Sequence, residues 1–286
     1  MSNLLKRLLT FFIGVPAVIA LVFLLPFYSH LPLNIVIVLF SAIGAVEFSA
    51  MLEKKQICIS KIESFILGAL APAALTLNIS FNLPDIIIPL FIIVGALWVL
   101  LSRAFLSLEK MGNVINNIAA GFSVLAYPGF FMYWLLKMSS WESSGIILLF
   151  LLITFGNDSA AWLFGSLFGA NNRGIIPASP NKSVAGFIGG LFGSIVVSCG
   201  AAVIFPFLFP SGAALLTRVI MAAVLGLCTG IAATLGDLAE SAIKRSCDTK
   251  DSGKLMFGRG GVLDTIDSIA AASPVFFILF NLFFID

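Results

Sequence analysis

Charge is scarce in this 286-residue chain: Asp, Glu, Lys and Arg together supply 10% of it, against about 25% in soluble domains. There is one histidine, His30. The four cysteines, Cys58, Cys199, Cys228 and Cys247, stand far apart with no C-x-x-C pair, which excludes a disulfide framework or a zinc knuckle. No Walker A loop, G-x-G-x-x-G fingerprint or G-x-S-x-G elbow is present, so the stock nucleotide folds and serine hydrolases are excluded as well. A chain this poor in charge cannot cover a water-facing surface. That removes an ordinary cytosolic enzyme, a disordered protein and a nucleic-acid binder with a basic face. What is there instead is apolar length: 60% hydrophobic residues and a mean hydropathy of +1.10.

Runs of about 20 apolar residues mark membrane-spanning helices, because in lipid the backbone must satisfy its own hydrogen bonds. Such runs predict an all-α, polytopic integral membrane protein with about nine spans, near 8–27, 33–52, 62–81, 84–102, 114–136, 145–165, 184–209, 215–236 and 262–284. The first run follows Lys6 and Arg7 like a signal peptide, but it is long enough to span and no A-x-A site follows, so it reads as retained. No linker sets off a soluble domain, so residues 1–286 read as one membrane domain. With the N-terminus cytoplasmic, only Lys137 and Arg218 of the 16 basic residues fall outside. That asymmetry sets the orientation and supports the number of spans.

The two halves differ in kind. Residues 1–144 read as hydrophobic packing, and residues 145–286 as the catalytic half, because ionisable groups there enter the spans. A charge at bilayer depth costs about 2.5–3.5 kcal/mol on insertion scales and persists when something pairs with it. Asn157 and Asp158 sit mid-span, read either as a helix–helix hydrogen bond or as part of a polar cavity. The loop Ser179-Pro180-Asn181-Lys182-Ser183 runs into Gly186, Gly189, Gly190 and Gly193. It suits a phosphate cradle at a helix N-terminus, or simply a capped helix with packing glycines. Asp237, Ser241 and Lys244 share one helical face. Asp248, Lys250, Asp251 and Lys254 lead through Phe257-Gly258-Arg259-Gly260-Gly261 to Asp264 and Asp267, which are i,i+3 neighbours entering the last span.

Like charges this close repel unless a cation lies between them. The donors are hard carboxylate oxygens with no thiol or imidazole cluster, which suits Mg²⁺ better than zinc. His30 falls on the opposite side of the membrane and cannot serve the site. Carboxylates for Mg²⁺ with clustered Lys and Arg on the cytoplasmic face suit phosphoryl or nucleotidyl transfer, in which the protein positions groups and neutralises charge.

The run from Ser241 through Lys244-Arg245, Lys250-Asp251 and Gly260-Gly261 to Asp264 and Asp267 resembles the C-terminal signature of the phosphatidate cytidylyltransferase (CDP-diacylglycerol synthase) family: S-x-x-K-R-x4-K-D, then G-G, then D-x-x-D. Asn157-Asp158 resembles that family's span-embedded acid. Ser179 to Ser183 with Gly186 resembles its S-P-K-K-T-x-E-G loop. Ala185, Met256-Phe257, Arg259 and Thr265 depart from the pattern and leave the carboxylates and the Lys-Arg pair intact.

The resemblance implies Mg²⁺-dependent transfer from CTP to phosphatidic acid, giving CDP-diacylglycerol and pyrophosphate. It further implies a cytoplasmic-facing site in a bacterial-type inner membrane and a homodimer, with no nucleic-acid partner. On it, Asp237, Asp264 and Asp267 are the expected metal ligands. Lys244, Arg245, Asp248, Lys250 and Asp251 are the expected catalytic residues, and Asn157, Asp158, Ser179, Asn181, Lys182 and Ser183 the expected substrate contacts. Two other readings remain: a CTP-dependent polyprenol or lipid kinase, and a secondary transporter with buried acids along an ion path.

Overall fold

A computed structural model describes residues 14, 16–105, 112–210, 212–256, 258 and 260–285. The expected first span lies partly outside these residues, as do Lys6, Arg7, Lys110, Phe257 and Arg259; residues 16–24 are helical. The described residues form helices joined by short loops, with no β-structure beyond two isolated bridges. Eight helical stretches are long and apolar enough to cross a membrane. They coincide with the eight later expected spans, the main difference being that the eighth span's helix continues ten residues past 236, to Ser246.

The helices are α1 (Phe27–Glu53), α2 (Lys61–Phe81), α3 (Ile87–Leu101), α4 (Val114–Val124), α5 (Phe131–Lys137), α6 (Ser144–Phe168), α7 (Val184–Ile204), α8 (Leu215–Ser246) and α9 (Leu263–Phe280). A π-turn at Leu125–Phe130, holding Pro128, joins α4 to α5. Proline has no N–H to give the preceding turn, so the helix widens there without ending. Contacts divide the chain into two compact units, Met1–Glu142 with Lys244–Ile266, and Ser143–Ile243 with Asp267–Asp286. Residues Lys244–Ile266, most of the signature segment, are therefore grouped with the N-terminal helices, while Ser241 and Asp267 fall in the second unit.

In the first unit, Ser60 caps α2 by accepting from Glu63 N at 3.1 Å. Arg103 pairs bidentately with Glu63 at 2.8 and 3.2 Å, both side chains nearly buried. A buried arginine and glutamate persist only when matched in this way. Ser41 Oγ reaches the carbonyls of Gly68 (2.7 Å) and Pro128 (2.5 Å), tying α1 to α2 and to the π-turn.

In the second unit, small residues bring backbones together, as they do in membrane interfaces lacking a hydrophobic drive. A methyl group on Gly193 would lie 3.0 Å from the Gly156 carbonyl oxygen, and one on Gly226 would lie 2.6 Å from that of Ser194. Phe150, Phe276 and Phe280 pack together in the core, with successive ring centroids 5.2 and 5.4 Å apart.

Candidate active site

Two constellations of polar side chains emerge, one in each unit. In the second, α6, α7, α8 and the loop before α7 enclose an open cavity of about 320 Å³. Of the residues singled out in the sequence, Asn157, Asp158, Asn181, Lys182, Ser183 and Asp237 line it. Lys182 Nζ donates to Asp237 Oδ2, and Ser241 Oγ donates to Asp237 Oδ1 at 3.4 Å. Asp237 is one-third exposed and Lys182 about a quarter, so the pair is desolvated enough to matter and open enough to exchange partners.

The loop geometry explains this reach. Ser183 Oγ accepts from Gly186 N at 3.0 Å and caps α7; Val184 N donates to Asn172 O and Gly174 N to Pro180 O. The cap and these turns hold the loop against the helix start, and Lys182 extends from it. Ser183 thus serves the helix as its cap while also lining the cavity. Ser179 is half-buried, its carbonyl accepting from Lys182 N, and it is not among the cavity residues.

The Asn157-Asp158 pair divides in the same way. Asn157, 2% exposed, donates to Thr234 Oγ1 (3.1 Å) and Gly230 O (3.4 Å) on α8. A side chain on Gly190 would strike its Oδ1 at 2.6 Å. Its place against the cavity is therefore that of a helix tie, while Asp158 is exposed at the cavity wall. Arg173, Trp162, Ser166 and Thr234 also line the cavity and were not anticipated. Arg173 lay in the same polar loop, and Thr234 precedes Asp237 by one helical turn, so both signals were present.

In the first unit the signature segment closes around Asp264. Lys244 Nζ donates to Asp264 Oδ1 at 2.6 Å, with both side chains largely buried (13% and 7% exposed). Asp264 Oδ2 accepts from Gly261 N (2.7 Å), Ser252 N (2.9 Å) and Ser252 Oγ (2.9 Å). Glu47 on α1 joins the cluster through Ser252 and Leu263 N. It lies in the half that had been read as packing. The signal for it was available: a carboxylate inside an apolar run of the expected second span. Arg245, Lys250, Asp251 and Lys254 are exposed around the same segment.

Asp248 takes a different place from the one the motif implied. Thr249 N donates to Lys244 O and Cys247 N also reaches Lys244 O, ending α8 with Asp248 in the left-handed conformation (φ 51°). Its carboxylate is 80% exposed and pairs with Lys55 at 2.6 Å. The Lys55 hydrogen bond and charge hold that carboxyl below its ordinary range. Asp248 is a helix-terminating turn residue, because Asp tolerates this backbone better than most.

Asp267 lies within α9; its Oδ1 accepts from the neighbouring Ser268 N at 2.6 Å, and it is buried. Among the described residues, no three His, Cys, Asp or Glu side chains form a group that could hold a metal ion. Asp237 and Asp264 each neutralise a lysine instead. The donor type fits magnesium, since each acid offers hard oxygens.

The model of the cytidylyltransferase family matches residues 5–283. The chain belongs to this family. Among curated relatives, the phosphatidate cytidylyltransferase of Bacillus subtilis (strain 168) is 31% identical over 289 residues, covering 99% of this chain and all of that protein. An uncharacterized protein of Escherichia coli (strain K12), YnbB, is 34% identical over 207 residues, 70% of this chain and 65% of its own length. The phosphatidate cytidylyltransferase of Staphylococcus saprophyticus is 32% identical over 182 residues, 64% of this chain and 65% of its own length. With its apolar helices, the chain is an integral membrane nucleotidyltransferase.

Proposed function

We propose that the protein joins CTP and phosphatidate to give CDP-diacylglycerol and pyrophosphate at the cytoplasmic face of a bacterial-type inner membrane, as a homodimer. The observation that carries this reading is the Lys182–Asp237 cavity wall, in a chain that aligns end to end with a phosphatidate cytidylyltransferase. Trp162, 75% exposed, lines the same cavity as Arg173 and Lys182 and gives it apolar surface suited to an acyl chain, along with cations suited to a phosphate.

A lipid phosphate is already anionic at neutral pH, so no strong base is needed. Its oxygen forms the new bond to the α-phosphorus of CTP while the bond to the β-phosphate oxygen breaks, and pyrophosphate leaves with that electron pair. The barrier is repulsion between two anions and loss of in-line geometry. Lys182, with Arg173, Asn181 and Ser183 at the cavity, positions one phosphate. Lys244, Arg245 and Lys250 neutralise the polyphosphate around the signature segment, with Asp251 beside them. Asp237, Asp264 and Asp267 are the carboxylates we assign to Mg²⁺, which if bound would supply further charge neutralisation.

The test is full-length protein in lipid nanodiscs with CTP, Mg²⁺ and phosphatidate, following pyrophosphate and lipid product. Pyrophosphate released in step with CDP-diacylglycerol supports the reading. CDP release with a polyprenol acceptor would replace it with the kinase reading, and no turnover with any lipid phosphate would sink it.

A further inference from the structure

Glu47 is out of place in an apolar helix unless it has partners, and those partners identify what it does. It sits six residues before the end of α1, where a carboxylate carries a solvation cost that needs an offset. Its Oε2 accepts from Leu263 N at 2.9 Å, across 216 residues of sequence. Leu263 is the first residue of α9, so its N–H has no partner within the helix. Such groups are usually capped by a Ser, Thr, Asp or Asn just upstream. Here the preceding residues are Gly261 and Val262, and α1 supplies the acceptor instead. A carboxylate at that end of a helix also meets the favourable side of the dipole.

The same oxygen lies 3.2 Å from Ser252 Oγ. That hydroxyl is 2.9 Å from Asp264 Oδ2 and also accepts from Asp264 N at 3.3 Å. Ser252 has one proton to give, so it bridges the two carboxylates by donating to one at a time. Two glycines make room for this. A side chain on Gly253 would run into the Glu47 carboxyl, and one on Gly261 would meet both Glu47 and Ser252, besides lying 2.6 Å from Gly253 N. The glycines of the signature segment are therefore matched to a group two hundred residues upstream.

We infer that Glu47 is a positioning residue: its carboxylate fixes the start of α9 and, through Ser252, the rotation of the Asp264 carboxylate toward Lys244. This rests on the proposed reaction only for its kinetic consequence, because the geometry makes a second prediction that needs no substrate. Loss of the Glu47 carboxylate frees the Leu263 amide and loosens Asp264.

The experiment compares wild type with Glu47→Ala, Glu47→Gln and Ser252→Ala as full-length protein in nanodiscs. Amide hydrogen exchange at Leu263 and Asp264 is expected to speed up at least about 10-fold in Glu47→Ala. It should stay within about threefold of wild type in Glu47→Gln, whose amide oxygen still accepts from Leu263 N. In the pyrophosphate assay, kcat is expected to fall roughly 10- to 100-fold in Glu47→Ala while KM for CTP and phosphatidate moves less than about threefold. Glu47→Gln should recover a third or more of kcat. Ser252→Ala should lower kcat without raising exchange at Leu263, which keeps the inference testable if Glu47→Ala does not fold. Wild-type exchange at Leu263 in Glu47→Ala, or equal losses in the Ala and Gln variants, would overturn the inference. Absence of turnover in wild type would instead sink the proposed reaction and leave the exchange result to decide Glu47 alone.

Discussion

Lys182 and Asp237 form an ion pair across the wall of the second unit's cavity, the lysine coming from the loop before α7 and the acid from α8. Neither residue is fully desolvated, so each can exchange its partner for a substrate or cation at modest cost. Asp237→Asn removes the charge and keeps the shape. Pyrophosphate release is expected to fall at least about 100-fold, with an unchanged elution profile in detergent. Activity within about threefold of wild type would remove Asp237 from the site.

Asp264 differs because it carries structure as well as charge. Four donors converge on its carboxylate, one of them a lysine that is 13% exposed. Breaking a buried pair leaves an uncompensated charge and costs about 3–5 kcal/mol. Asp264→Ala is therefore expected to lose turnover and to melt well below Asp237→Asn. Equal melting temperatures for the two variants would mean that the Asp264 cluster contributes nothing to the fold.

The spans were legible because lipid imposes one rule on every residue: a run of about 20 apolar side chains at 1.5 Å per residue crosses the bilayer. The ends of the helices were not. α8 continues through Asp237, Glu240 and Lys244 to Ser246, since a helix keeps its hydrogen bonds after leaving the apolar region. The acids at positions 237, 264 and 267 were visible as costly residues. Their partners were not, because Lys182 lies 55 residues from Asp237 and Glu47 lies 205 from Ser252. Position in a motif also hid opposite roles. Asn157 ties helices from the cavity wall while its neighbour Asp158 is exposed there, and Asp248, inside the signature, ends a helix.

That role for Asp248 is itself testable. Asp248→Gly suits the left-handed backbone and is expected to keep turnover within about twofold, whereas Asp248→Val should lower the melting midpoint by roughly 3 °C. The Lys55 pair adds a pH dependence of known sign. Because the folded carboxyl titrates below its ordinary range, its contribution is present at neutral pH and fades only as pH falls through the lowered value. The side chain is exposed, so the effect is small and salt-sensitive. A midpoint that rose on acidification in wild type, and not in Asp248→Gly, would contradict the pairing.

A close backbone approach between α8 and α9 yields the last prediction. A methyl group on Gly236 would lie 2.7 Å from the Asp267 carbonyl oxygen and would also strike Ala271. Neither can yield easily, because the carbonyl belongs to the rigid turn of α9 that carries Asp267. Gly236→Ala should therefore separate the helices and cost about 1–3 kcal/mol. It should also lower turnover more than its stability loss explains, because Asp237 and Asp267 adjoin the contact. Gly200, on α7, has open space where its Cβ would be. Gly200→Ala should gain helix propensity, about 0.4–1 kcal/mol, with turnover unchanged. The comparison holds the substitution fixed and varies only its surroundings. If both variants melt alike, close packing at Gly236 is not what sets the spacing of the two acids.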